Sequence, residues 1–221
     1  MATTGTYTNR TLISDAYRKI GVVAGDTDMT SDEAQLGLRV LDRMLKSWQA
    51  MGHNLWTKAE QTLTLTTAAS YTLSPVRPLQ ILSARLVRNG IELPMWEMTR
   101  EEYDYLPNKA TTGTPTQFYY DRQREDALFY IWPVLATASG ETIKITYERE
   151  IEDQTQLSVV PDIPGEWWEA VVYNLAAKLA DDQMVDAPMI KAQAAQELRM
   201  AAAFDREGSV YFGCEPGQYG Y

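Results

Sequence analysis

The chain has 221 residues, of which 45% are hydrophobic and 23% charged, and its formal net charge at pH 7 is −10. This composition is sufficient for one ordinary hydrophobic core, or for one core with an inserted subdomain. The negative charge argues against a surface that grips nucleic-acid phosphates, because that affinity depends on clustered Lys and Arg side chains.

Two amphipathic helices are predicted at the start of the chain. Thr8 or Asn9 caps the first, which ends at Gly21, and residues 30–33 have the spacing of a capping box that opens the second, which stops near Gly52. Apolar side chains recur at the helical period in both. In the first helix these are Leu12, Ile13, Ala16, Tyr17 and Ile20, and in the second Ala34, Leu38, Leu41, Met44, Leu45 and Trp48.

From Gln61 the apolar period changes from the helical value to two, which indicates β-strands. Asn89-Gly90 predicts a hairpin with a type I′ turn, because both residues tolerate a positive φ. Residues 99–102 form a second capping box and open a short helix. The strands are predicted over residues 61–66, 79–88, 91–98, 117–121, 127–132 and 141–149, an antiparallel sheet of about five or six strands.

The helical period returns after the sheet. Pro164 lies near the first turn of a helix whose apolar positions include Trp167, Trp168 and Met184. Residues 186–188 start a last helix, whose many alanines suit close packing against a neighbour. From Phe204 onward glycines alternate with aromatic residues, a composition that forms no regular element alone.

These elements predict an α+β fold. An antiparallel helical frame is interrupted by an antiparallel β-sheet insertion and followed by an extended C-terminal tail. We assign residues 1–56 and 161–203 to the helical unit, residues 57–160 to the inserted sheet, and residues 204–221 to the tail. No apolar run is long enough to cross a membrane and residues 1–10 are polar, so we expect a protein that is made and kept in the cytosol of its cell.

Histidine and cysteine chemistry has little support in this sequence. His53 is the one histidine and follows Gly52, where it is expected to interact with the end of a helix rather than act as a general base. Cys214 is the one cysteine and belongs to the tail, so it forms neither an intramolecular disulfide nor, by itself, a zinc site. We predict no catalytic residues, no metal site and no cofactor.

Other residue groups have a simpler structural interpretation. Asp181, Asp182 and Asp186 could hold a hard cation, but they are expected to be the end of one helix and the cap of the next. Glu166 with Glu169, or Glu101 with Glu102, could be an acid/base pair, but the separation of the carboxyl groups is unknown from the sequence. The remaining candidates are the aromatic pairs 167–168 and 119–120, for which core or interface packing is favoured over base stacking, since only Arg122 and Arg124 accompany them.

Two segments of the helical unit resemble a known family. Residues 11–22, TLISDAYRKIGV, and residues 41–48, LDRMLKSW, followed by Gly52, resemble the start of the head-to-tail adaptor proteins of tailed phages. That family includes the packaged-DNA-stabilising tail accessory factors and the tail tubular A proteins of short-tailed phages. The resemblance extends in outline through residues 164–180 and the C-terminal extension.

The resemblance implies a structural protein of the virion that is assembled in the host bacterial cytoplasm. Such adaptors form a ring, commonly of twelve copies, under the portal protein at the head–tail junction. The ring extends the DNA channel, retains packaged DNA and receives the tail nozzle protein. Double-stranded DNA would pass through the channel without specific binding, and no membrane anchor is implied.

Three sets of residues are therefore hypotheses for function. The portal is expected to bind Tyr211, Phe212, Tyr219 and Tyr221, and neighbouring subunits Ala192, Ala195, Leu198, Ala202, Trp167 and Trp168. The channel lining is expected to include Asp181, Asp182 and Asp186, because residues 151–221 carry four basic and twelve acidic side chains. A solvated face that keeps the protein soluble is the simpler interpretation of that acidity.

Two alternative functions remain open from the sequence. One is a phage cell-wall hydrolase on a helical scaffold, with Glu166 as a catalytic carboxylate. The other is a neck or head-completion protein of a long-tailed phage, similar in architecture but with a different partner.

Overall fold

A computed structural model describes residues 7–24, 27–52, 57–73, 77–123 and 127–204. The helices are α1 (Asn9–Lys19), α2 (Ser31–Ala50), α3 (Arg100–Asp104), α4 (Trp168–Asp182) and α5 (Pro188–Phe204), with a 3₁₀ turn at Gly165–Trp167. The strands are β1 (Lys58–Thr64), β2 (Ser70–Thr72), β3 (Gln80–Arg88), β4 (Ile91–Glu97), β5 (Gln117–Asp121), β6 (Leu128–Trp132) and β7 (Thr142–Glu148). The predicted α+β class is confirmed.

Helix ends follow the predicted caps. The hydroxyl oxygen of Thr8 accepts a hydrogen bond from the Thr11 amide, so Thr8 rather than Asn9 is the cap of α1. At α2 the Glu33 amide donates to Thr30 Oγ1 (3.3 Å) and the Thr30 amide to Glu33 Oε2 (2.7 Å), the reciprocal pair of a capping box. The helical unit therefore begins and ends its first two helices as their local sequence dictates.

The helical core forms where the predicted apolar faces of α1 and α2 meet α4, which contacts α1, α2 and α5. Every apolar residue predicted for the faces of α1 and α2 is buried. Trp167 lies inside this core with its ring centroid 5.5 Å from that of Trp48. α4 is thus the helix at the centre of this core.

Seven strands form one sheet in the order β1-β7-β3-β4-β5-β6-β2. Six of them lie where strands were predicted, and the seventh, β2, is a three-residue strand that was missed. The expectation of a wholly antiparallel sheet was wrong at one place, because β4 pairs with β5 in parallel through Trp96 and Glu97. A short helix, α3, separates those two strands along the chain, and a crossover of this kind permits the parallel pairing.

The β3–β4 hairpin is built as its turn sequence predicts. Asn89 has a φ of 51° and Gly90 a φ of 76°, the pair of positive values that a type I′ turn requires. The turn fixes the register of the two strands, with Arg88 opposite Ile91 and Leu86 opposite Leu93. It thereby determines which residues of β4 face the core.

The sheet has its own core, separate from the helical one. It is formed by the side chains Leu65, Leu73, Ile81, Ala84, Leu86, Met95, Phe118, Tyr120, Ala127, Phe129, Ile131, Leu135, Ile143, Ile145 and Tyr147. The two units meet at Gln49, whose Nε2 donates to the Arg149 carbonyl (3.0 Å) and whose Oε1 accepts from the Ile151 amide (3.3 Å). The described chain thus has one core among the helices, to which Ile151 also belongs, and a second core in the sheet.

The opposite face of the sheet is charged. Arg85 Nη2 lies 2.6 Å from Glu60 Oε1 and Arg85 Nη1 lies 3.1 Å from Glu92 Oε2, while Lys144 Nζ lies 2.7 Å from Glu92 Oε1. These ion pairs join β1, β3, β4 and β7. This face is therefore suited to water rather than to a hydrophobic partner.

Gly37 is the point of closest approach between α1 and α2. A Cβ atom at Gly37 would overlap Ile13 Cγ2, and Ile13 is fully buried. We expect Gly37→Ala to lower the free energy of unfolding by about 1–3 kcal/mol, because overpacking displaces buried side chains. Gly165→Ala is the matched control, since nothing lies within 4 Å of its Cβ position. Urea unfolding of both variants tests this, and equal stability of the two would contradict it.

Glu141 links the β3–β4 hairpin to the start of β7. Ser139 Oγ donates to its Oε2 (2.7 Å) and Arg88 Nε to its Oε1 (3.0 Å), and these bonds, with that of Ser139 the stronger cause, lower the pKa of Glu141 from 4.5 to about 2. A lowered pKa means that the ionised carboxylate stabilises the fold above its unfolded-state pKa of about 4.3 and loses this effect as the pH falls toward 2.

We therefore expect Glu141→Gln to lower the melting temperature at pH 5 to 7, with a difference from the natural protein that shrinks between pH 4.5 and pH 2. Thermal melts across this range measure the difference. A difference independent of pH would show that the ionised form of Glu141 is not what stabilises the fold.

Candidate assembly interface

The outer face of α5 is the most exposed apolar surface of the helical unit. Met189 is 85% exposed and Met200 is 50% exposed, and Ala192 and Ala203 are exposed between and beyond them. These positions recur at the helical period and form one stripe, which we call the α5 stripe and define as Met189, Ala192, Gln196, Met200 and Ala203. Apolar side chains at this spacing on an outer face are typical of a helix that packs against a partner.

The inner face of α5 packs on α4. Ala194 and Ala201 are buried, and Asn174 Nδ2 of α4 donates to the Ala194 carbonyl (2.9 Å). The alanines of α5 thus divide between two faces. One face packs closely against α4 of the same chain, and the other face is left open.

The residues predicted for the ring interface fall into three environments. Ala192 and Ala195 are exposed, whereas Leu198 and Ala202 are half-buried against the helical core. Trp168 is half-buried and stacks on Tyr7 with ring centroids 4.8 Å apart. The remaining residue, Trp167, is 1% exposed, so its contacts are with its own core and not with another subunit.

Met184 was predicted to lie on the apolar face of the returning helix, and this was wrong. α4 ends at Asp182, and Met184 follows in the turn with a φ of 57°. Its side chain is 95% exposed. The left-handed conformation at this position reverses the chain into α5 and directs the side chain away from the core.

The acidic residues of this turn are at the surface. Asp181 Oδ1 lies 2.6 Å from Lys191 Nζ, so one of the three charges has a cationic partner. Asp182 and Asp186 are exposed and form no ion pair with any residue that the structure describes. Within the described ranges no group of three or more His, Cys, Asp or Glu side chains is placed to hold a metal ion.

A second open surface lies along the outer face of α2. It is a groove of about 910 Å³ between α2 and residues 153–155, and Leu36, Arg39 and Arg43 are among its lining residues. Lys46 at one end is paired with Asp42 (3.3 Å). Arg39 and Arg43 are exposed and have no ion-pair partner in the described part of the chain.

The sheet carries a separate aromatic surface. Tyr103 of α3 stacks on Tyr119 and packs on Tyr130 of the sheet, with ring centroids 5.1 Å apart in both cases. Trp96 and Tyr105 are 70% and 77% exposed. Exposed tryptophan and tyrosine are the residues that most often carry binding energy at protein interfaces.

Tyr119 and Tyr120, the pair considered for base stacking, point to opposite faces of the sheet. Tyr120 lies in the sheet core and donates to the Pro78 carbonyl (2.6 Å), and burial raises its pKa to about 12. Tyr119 lies under α3, in contact with Tyr103. Of the two arginines considered with them, Arg122 is exposed and Arg124 lies outside the described residues.

The carboxylates proposed for catalysis have structural partners or open surroundings. Glu102 accepts from the Thr99 amide (2.7 Å) in the capping box of α3, which lowers its pKa, while Glu101 is exposed. Glu169 lies 3.3 Å from Lys19 Nζ, and Glu166 is exposed in the turn before α4. Glu102 and Glu169 are thus bound to Thr99 and Lys19, and not to the second carboxylate of the proposed acid/base pair.

Several predicted residues lie outside the described ranges. These are His53, Cys214 and the four aromatic residues of the proposed portal contact, Tyr211, Phe212, Tyr219 and Tyr221. Among the helices that the structure describes, none combines the length and the apolar character of a membrane span.

Comparison with known proteins decides the family. The model of the SU10 adaptor protein family matches residues 10–211, which include the helical unit, the sheet and the beginning of the tail. The chain belongs to the SU10 adaptor protein family. The resemblance to phage head-to-tail adaptors is thereby confirmed.

Other comparisons add less. No curated protein matches this SU10 adaptor in sequence. Among solved structures it is similar to a chain in the neck of an empty gene transfer agent particle, computed with C6 symmetry, with a TM-score of 0.32 and 13% identity over 75% of each chain.

Met200, Trp96 and Tyr105 of this SU10 adaptor are exposed residues that sequence analysis missed. Met189 and Met200 are eleven positions apart, three helical turns, and so lie on one face of α5, away from Ala194 and Ala201. Separating the two faces of α5 by this period would have placed Met200 beside Met189. The burial of Trp167 has no comparable local signal, because it depends on the position of α2.

Proposed function

We propose that this protein is a structural adaptor of a tailed phage that forms a ring between the portal and the tail nozzle. In this position it extends the DNA channel and retains packaged DNA, and it is a virion component at the head–tail junction. The observation that carries the proposal is the SU10 adaptor family match over residues 10–211. Its function is binding and assembly, with no catalytic step.

The helical unit would build the ring. A closed ring needs two different complementary patches on each subunit, because its interfaces are heterologous. The α5 stripe and the groove of α2 lie on different helices and would supply such a pair. Ala192 and Ala195 would contact the neighbouring subunit directly. The half-buried side chains of Leu198, Ala202 and Trp168 would contribute their exposed parts to the same interface. Twelve copies is the number that the family resemblance implies.

The tail would anchor the ring to the portal. Residues 205–221 contain Tyr211, Phe212, Tyr219 and Tyr221 among glycines, with few other apolar residues. An extended segment can add main-chain hydrogen bonds to the edge of a partner's sheet and insert alternate aromatic side chains into pockets. We propose these four residues as the anchors.

The acidic turn would line the channel. Asp182 and Asp186, with Asp181 partly neutralised by Lys191, present negative charge at the end of α4. A lumen lined with carboxylates repels DNA phosphates, so a duplex would pass without adhesion. This placement fails if an image of the assembled ring shows the end of α4 on the outside.

The inserted sheet would face the tail nozzle. Its core is separate from that of the helical unit, so it can project from the ring without weakening it. Trp96 and Tyr105 are the exposed aromatic residues available for that contact. Assembly would take place in the host cytoplasm, as the family resemblance implies.

Mass measurement and negative-stain imaging test the proposal. We expect the protein alone to be a monomer or small oligomer, and a ring to appear when portal rings from the same phage are added. A protein that remains monomeric and ignores the portal at micromolar concentration would contradict the proposed function. Clearance of peptidoglycan by the purified protein would instead support the hydrolase alternative.

A further inference from the structure

The outer sides of β1 and β2, and the part of β4 beyond its pairing with β5, are open edges of the described sheet, and the edges of β2 and β4 are obstructed. β2 has three residues. β4 pairs with β5 only through Trp96 and Glu97, which leaves residues 91–95 as an open edge. The Trp96 amide donates away from β3, to the Thr116 carbonyl (3.0 Å). Pro94 lies two residues earlier in the strand, so its nitrogen also points away from β3, and a proline nitrogen has no hydrogen to donate. Short strands and proline are the usual means of preventing edge pairing.

β1 is the third edge, and it has neither form of obstruction. It is seven residues long, contains no proline or glycine, and pairs on one side with β7. No other described strand pairs with its second side. An edge of this length is a template for another extended chain.

Hydrogen bonds at both ends of β1 determine which backbone groups are available. The Leu65 amide donates to the Glu141 carbonyl (2.9 Å) and the Arg149 amide to the Thr57 carbonyl (2.9 Å). Residues of odd number therefore bond β7, and residues of even number direct their amides and carbonyls away from it. Among these, Glu60, Thr62 and Thr64 offer a ladder of main-chain donors and acceptors.

Side chains of β1 define the chemistry of an added strand. Ala59 and Leu63 face the sheet core and are only half-buried, because the core layer ends at this strand. On the other face Glu60 is paired with Arg85 at 2.6 Å. An added strand would place apolar residues against Ala59 and Leu63, between which the polar Gln61 lies on the same face, and present polar residues on the charged face.

We propose that the outer edge of β1 binds an extended segment of the tail nozzle protein by strand addition. This inference rests on the proposed function, in which the sheet faces the nozzle while the helical unit and the tail form the ring and engage the portal. The partner segment is extended, carries apolar residues against Ala59 and Leu63, and pairs with residues 60–64. Main-chain bonds supply the affinity, and Ala59 and Leu63 supply the apolar contact.

Thr62→Pro tests this edge, with Thr62→Ala as the matched control. Proline removes the outward amide of residue 62 and its ring obstructs an added strand, whereas alanine leaves the backbone unchanged. On portal–adaptor complexes we expect Thr62→Pro to weaken binding of the purified nozzle protein about tenfold or more, since main-chain hydrogen bonds to the added strand are lost. Thr62→Ala is expected to bind the nozzle as the natural protein does, and both variants are expected to bind the portal normally.

Different failures have different meanings. If Thr62→Pro binds the nozzle protein with unchanged affinity, the inference is overturned and the adaptor function is left intact. The inference is also overturned if Thr62→Pro loses ring formation or portal binding instead of nozzle binding. Failure of the natural protein to bind both portal and nozzle would overturn the proposed function and the inference together. If thermal melting shows that Thr62→Pro does not fold, Thr64→Pro, at the next outward position, decides the question by the same measurement.

Discussion

Replacing Met189 and Met200 together by lysine is expected to prevent ring assembly while leaving the fold intact. Both side chains are exposed on the α5 stripe of the single subunit, so the new ammonium groups are solvated there. In the proposed ring each would be buried against the α2 groove of the neighbouring subunit, which is lined by Arg39 and Arg43, and burying an unpaired charge costs several kcal/mol. Because every interface of the ring contains one α5 stripe, we expect no rings at concentrations where the natural protein forms them on the portal.

Negative-stain imaging and mass measurement on portal rings provide the readout. Met51→Lys is the matched control, since Met51 is also an exposed methionine but lies at the end of α2, away from the α5 stripe. It is expected to assemble normally. Rings of unchanged number and size with the double variant would exclude the α5 stripe from the interface, and a loss of helical circular dichroism would show that the substitutions act on the fold instead.

Replacing the four tail residues Tyr211, Phe212, Tyr219 and Tyr221 by serine is expected to abolish stable portal binding. Aromatic anchors at protein interfaces contribute about 2 kcal/mol or more each when they are central, so loss of even two would weaken binding on the order of 100-fold or more. A Gly-rich segment of this composition builds no core of its own, so we expect the melting temperature to be unchanged. Binding of the full-length variant to immobilised portal rings measures the effect.

The control for the tail is a variant of the sheet, Trp96→Ser with Tyr105→Ser. Both residues are exposed aromatics, so the change in composition is similar, but they lie on the surface that we propose for the nozzle. This variant should bind the portal normally. Equal portal binding by the tail variant and the natural protein would show that the ring is anchored elsewhere, and weakened portal binding by the sheet variant would place the sheet on the portal side.

Local features of this fold could be predicted because a few neighbouring residues determine them. Thr30 with Glu33, and Thr99 with Glu102, form capping boxes at the positions that the sequence indicates, since the reciprocal bonds join residues three apart. The Asn89-Gly90 turn has its two positive φ values because few other dipeptides adopt them without strain. Six strands and the buried faces of α1 and α2 follow from periodicity in the same way.

The candidate site was predicted less well, because exposure depends on what a distant part of the chain covers. An alanine-rich α5 predicts close packing, but only the position of α4 decides that Ala194 and Ala201 are buried and that Met189 and Met200 are left outside. The same holds for the tryptophans, of which one enters the core beside Trp48 and the next reaches Tyr7.

The sequence by itself determined the order of helices and strands, the caps, the hairpin and the family to which the chain belongs. Each of these depends on spacing within a short segment, where hydrogen bonds and side-chain period act over a few residues. Tertiary structure alone decided that β4 pairs in parallel with β5. Among the described strands it also decided that the outer edge of β1 is open while the edge of β4 at Pro94 is obstructed, and it left the α5 stripe exposed. These depend on contacts between residues far apart in the chain, and an assembly protein binds its partners through the surfaces that such contacts leave open.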